Sequence, residues 1–160
     1  MADKLFGRYS GVVTDIRTGW DDNCSVIYRL EDKDKGPAEF LTSSDTYFSP
    51  GIIIEEGSPV LGFYDRNAPM VLSFPPRYQP LAVIYDDGNY NVKLDRFDEE
   101  LVSSDGELKI HVGPETQISG INGQPFLGDL SKKTLLVFYG MSTRSIPAQT
   151  TPEKIVVFCK

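Results

Sequence analysis

Apolar and polar residues alternate along Tyr9-Ser-Gly-Val-Val-Thr-Asp-Ile16, the two-residue period that turns one face of a strand to a core and the other to water. β-branched and aromatic residues crowd Ser25-Val-Ile-Tyr28, Ala38-Glu-Phe-Leu-Thr42, Val60-Leu-Gly-Phe-Tyr64 and Leu81-Ala-Val-Ile-Tyr85, which predicts four more strands. Lys33-Asp-Lys-Gly-Pro37 supplies the turn between the second and third. Ile52-Ile-Ile54, flanked by turn-rich segments, reads as either a short strand or a buried connector. Beyond the polar Asp86-Asp-Gly-Asn89 the pattern resumes at 91–97, 107–112, 116–119, 134–139 and 154–158. Ser103-Ser-Asp-Gly106 reads as a hairpin turn, because Asp-Gly accepts the positive φ of tight β connections. No segment offers three turns of helical spacing, and Gly128-Asp-Leu-Ser-Lys-Lys133 offers one at most.

The pattern also repeats. Val60-Leu-Gly-Phe-Tyr64, a proline-containing loop and Pro80-Leu-Ala-Val-Ile84 are echoed by Leu135-Leu-Val-Phe-Tyr139, a second proline-containing loop and Pro152-Glu-Lys-Ile-Val-Val157. Phe63 and Tyr64 match Phe138 and Tyr139, and Pro75 and Pro80 match Pro147 and Pro152, the second loop being three residues shorter. Echoes of this length mark duplicated folding units, since each copy rebuilds the same packed strands. The expected architecture is all-β: two related small, partly open β-barrels of the OB or SH3-like kind, at residues 8–86 and 89–159. One β-sandwich shared by both halves is the alternative.

At 160 residues and 40% hydrophobic, the chain can bury one sizeable core or two small ones. Its net charge of -7 opposes the basic field that neutralises phosphates, so no nucleic-acid partner is expected. No apolar run approaches the roughly 20 residues of a spanning helix, so no membrane insertion is expected. Met1-Ala-Asp-Lys-Leu-Phe6 lacks the apolar core of a secretory signal. A cytoplasmic location is therefore expected for the chain as written, and a cell-surface or secreted one if a signal precedes it. Cys24 and Cys159 read as two buried free thiols, and with the single His111 they form no metal-ligand spacing.

Phe138-Tyr-Gly-Met-Ser-Thr-Arg-Ser-Ile-Pro-Ala-Gln-Thr-Thr-Pro152, together with residues 62–80, resembles a group of uncharacterised clostridial-type bacterial tandem β-module proteins, some of them associated with copper amine oxidase-like surface proteins. The resemblance covers nearly the whole chain, and Tyr-Gly-x-x-Thr-Arg-Ser-Ile-Pro is its most specific phrase. It implies a β module and no particular activity. Nothing in the chain matches a copper-oxidase catalytic motif, and one histidine cannot build a multi-histidine copper site.

Candidate chemistry is sparse. His111 falls on the polar face of Leu108-Lys-Ile-His-Val112 and reads as a surface histidine. Asp32-Lys-Asp-Lys-Gly36 places its glycine too early for a calcium loop, and no phosphate-binding glycine motif or nucleophile elbow occurs. No enzyme, cofactor or metal site is expected. The proline loops stand out instead. Residues 65–79 carry Arg66, Asn67, Phe74, Arg77 and Tyr78, and residues 140–151 carry Thr143, Arg144, Ser145, Gln149 and Thr150. Planar cations beside aromatics and amides suit protein and ligand contacts. The expected role is a non-enzymatic interaction or structural module binding a protein segment or extended ligand, with Arg77, Tyr78, Arg144 and Gln149 as its contacts. A small-molecule or carbohydrate-binding module is the alternative, and an enzyme of unknown class comes third. Unpaired strand edges would let such a module add a partner's strand.

Overall fold

The computed structural model describes residues 4–19, 24–70 and 72–159. These residues form thirteen strands: β1 (Phe6–Thr18), β2 (Val26–Asp32), β3 (Gly36–Thr42), β4 (Tyr47–Phe48), β5 (Pro59–Asp65), β6 (Arg77–Tyr78), β7 (Pro80–Tyr85), β8 (Asn91–Phe97), β9 (Leu108–Ile110), β10 (Gln117–Gly120), β11 (Lys133–Tyr139), β12 (Ala148–Thr150) and β13 (Lys154–Phe158). The protein is all-β. Among the described residues no helix is long and apolar enough to cross a membrane.

The chain divides into two compact units, Phe6–Asp87 and residues 88–159 with Lys4 and Leu5. The first holds one seven-stranded sheet in the order β4-β7-β5-β1-β2-β3-β6. Its end strands do not pair with each other, so the sheet does not close into a barrel. The long β1 joins its halves: Phe6–Val12 pair with β5, and Val12–Thr18 pair with β2. A bulge at Thr14 lies between them. The extra residue shifts the alternation, so that Val13 and Ile16 both reach the core although three positions separate them. That core holds Tyr9, Val13, Leu30, Ala38, Phe40, Ile54, Val60 and Val83.

In the second unit a four-stranded sheet runs β10-β13-β11-β8, beside a parallel pair of β12 with β9. Single bridges link them, Phe97 to Ser103 and Val102 to Lys109. With those bridges in the place of a strand, the pairings follow the order of the first unit element for element. β4 lies parallel to β7 as β10 does to β13, and β3 lies parallel to β6 as β9 does to β12. The second core holds Phe97, Leu108, Ile110, Leu130, Leu135, Val137, Ile155 and Val157. No closed barrel forms here either, and each unit has its own core.

Several local expectations change. Of Ile52, Ile53 and Ile54 only Ile54 is buried, and none is in a strand. The stretch 128–133 forms no helical turn that counts as helix. Neither cysteine is in a disulfide, and both are exposed rather than buried, because each lies in irregular chain next to a strand rather than on its inner face. Phe63 is buried, whereas Phe138 and Tyr139 are both half-buried.

Candidate functional site

The proline loops join β5 to β6 and β11 to β12. Arg77 and Tyr78, expected in a loop, form the edge strand β6 and pair with Glu39 and Phe40 of β3. Arg77 donates from Nε and Nη2 to Glu39 Oε1 at 3.1 and 2.7 Å, and Arg17 donates to Oε2 at 2.6 Å. The Glu39 side chain is only 6% exposed, so a buried carboxylate is held between two guanidinium groups. Its burial pushes the pKa up, and the bonds from Arg17 and Arg77 outweigh that, leaving the carboxyl below the usual glutamate range. Tyr78 is engaged inward as well: its ring stacks on Tyr64 at 4.3 Å and meets Phe40 edge-on. Both residues fasten the loop's base to the unit.

In the second unit Gln149 lies on β12. Its backbone N–H donates to Thr143 Oγ1 and its carbonyl accepts the Thr143 N–H, both at 2.9 Å, so the loop folds back over the edge of its own strand. Thr150 Oγ1 donates to the Met141 carbonyl at 2.7 Å. The Gln149 side chain meets His111, the Nε2 to Oε1 distance being 2.8 Å. A shallow groove of about 440 Å³ opens here between His111, Ser142, Thr143, Gln149 and Thr151. Arg144 is exposed and makes no ion pair among the described residues. Other edges are equally ill-suited to strand addition: β4 and β6 are two residues long, and β10 bonds back to residues 124–126.

Apart from Phe74, the apolar content of the loop tips is passed over in the sequence analysis. Six large apolar side chains among the described residues are at least 84% exposed, and four of them, Leu72, Phe74, Met141 and Ile146, lie in these two loops. Phe74 and Ile146 occupy matching positions. Ser73 Oγ donates to the Pro75 carbonyl and Ser145 Oγ to the Pro147 carbonyl, at 3.2 and 2.8 Å, and the residue between each Ser and Pro points into solvent. The repeated Ser-apolar-Pro tripeptide was the signal available in the sequence. No protein-family model matches the chain, and no curated protein or solved structure is similar to it.

Proposed function

We propose that the protein is a non-enzymatic interaction module in which the tip of each proline loop contacts a protein segment. The observation that carries this reading is the exposed apolar side chain at the matching Ser-apolar-Pro position of each loop. Core packing has no use for Phe74 at 84% or Ile146 at 92% exposure, yet both loops place one there. Apolar side chains offered on a fastened support suit protein contact, because less ordering entropy is lost on binding. The matching order of pairings supports a duplicated unit, each copy a partly open barrel. In this reading Arg144 and Gln149 are contacts beside the second tip, while Arg77 and Tyr78 hold the first loop in place.

Recognition runs through side chains rather than added strands, since the edges are short or covered by the chain itself. The test is the double substitution Phe74→Ser and Ile146→Ser, followed by thermal unfolding and affinity capture from extract of the source cell. The expected outcome is an unchanged melting temperature with loss of proteins that the unaltered chain retains. Identical capture by the two chains would overturn the reading.

A further inference from the structure

Resting on that reading, we infer the chemistry of the partner: the loops bind an acidic protein segment in which apolar anchors are flanked by carboxylates. The chain contains 23 Asp and Glu residues, yet none lies in 66–79 or 140–152. The nearest along the chain, Asp65 and Glu153, flank the loops. Asp65 accepts the Asn67 N–H at 2.8 Å, and so is used within its own turn.

Each carboxylate-free loop retains one guanidinium that makes no ion pair among the described residues, Arg66 in the first and Arg144 in the second. Arg77 is not among them, because Glu39 balances it. Arg144 stands between the exposed Met141 and Ile146, and Arg66 precedes the exposed Met70, Leu72 and Phe74. A protein of net charge -7 thus offers two small cationic, apolar-tipped surfaces that repel no approaching anion through their own residues. An acidic segment gains a guanidinium fork and an apolar contact at the same place, and a basic segment meets like charge there. An anionic membrane fits less well. One arginine per loop is a weak polybasic signal, and the rest of the chain is acidic.

The experiment uses the full chain and three fluorescein-labelled decapeptides that alternate Leu and Phe with Asp, with Asn or with Lys, followed by fluorescence anisotropy. The expected result is tightest binding of the Asp peptide, weakened about threefold or more between 50 and 300 mM salt and similarly by the double variant Arg66→Gln, Arg144→Gln. The Asn peptide binding as well as the Asp peptide, with both lost in Phe74→Ser, Ile146→Ser, would overturn the acidic partner and leave the interaction module standing. Preference for the Lys peptide, or no binding of any peptide up to 1 mM, would also overturn it. So would co-sedimentation with phosphatidylserine vesicles without peptide binding, which would assign the loops to a lipid surface.

Discussion

At the scale of single residues, two glycines make room for the aromatic core of the first unit. A Cβ at Gly62 would lie 2.4 Å from the ring of Phe40, and one at Gly7 would lie 2.3 Å from the ring of Tyr64. Phe40 is fully buried and cannot swing away. Gly62→Ala should therefore overpack the core and cost about 1–3 kcal/mol, seen as a lowered midpoint in denaturant. Gly51→Ala meets no atom, so any loss there would come from its positive φ of 77° alone. Glu39 is the other decisive residue. Gln in its place keeps the shape but not the charge that Arg17 and Arg77 share. Glu39→Gln should cost about 1–2 kcal/mol near neutral pH, at the low end because Arg17 is 43% exposed to screening solvent. Since folding lowers the Glu39 pKa, its contribution is complete above the ordinary glutamate range and is lost as pH falls through the lower folded value. Melting temperatures of the two chains should therefore converge as pH drops below about 4, and a gap that stays constant down to pH 3 would contradict the clamp.

At the scale of elements, β11 shows how alternation sorts its side chains. Leu135 and Val137 enter the second core, with Tyr139 packed against it. Phe138 points the other way, meeting Tyr90 edge-on at 6.4 Å with the Lys154 ammonium over its ring. Leu135→Ala should cost about 2–5 kcal/mol, and Phe138→Ala distinctly less, because a half-buried ring loses less contact. Thermal or denaturant unfolding of the two variants ranks them directly, and the reverse order would place the core on the other face. The main strands were legible because their apolar runs carry the signature: 91–97 and 154–158 are recovered to the residue. The short edge strands β4, β6 and β12 were not, since two or three residues carry no period and their pairing is imposed by the strand beside them.

At the scale of the whole molecule, each unit ties one buried carboxylate to cationic partners. Asp105 in the second unit has a side chain 4% exposed and accepts from Lys93 Nζ and Ser103 Oγ, both at 2.6 Å. Burial pushes its pKa up, and the bonds from Lys93, Ser103 and the Glu107 N–H outweigh that. Both units therefore lose support in the same direction. Stability should stay level above about pH 5 and fall below about pH 4, where both carboxylates take up protons that their folded partners disfavour. Calorimetry of the unaltered chain across that range checks it, and a melting temperature that rises on acidification would refute it.

The sequence by itself determined the all-β class and the major strands. These are local properties: period, propensity and turn chemistry act over a few residues and are written in residue order. The tertiary structure alone decided which partners the loop residues meet. Arg77 and Arg144 look alike in the chain, but Glu39, 38 positions from Arg77, claims one guanidinium, while nothing among the described residues pairs with the other. Gln149 and His111 likewise meet only because β12 lies parallel to β9. Partnership between distant residues depends on which strands become neighbours, and that is set by the burial of whole faces together rather than by any local run of residues.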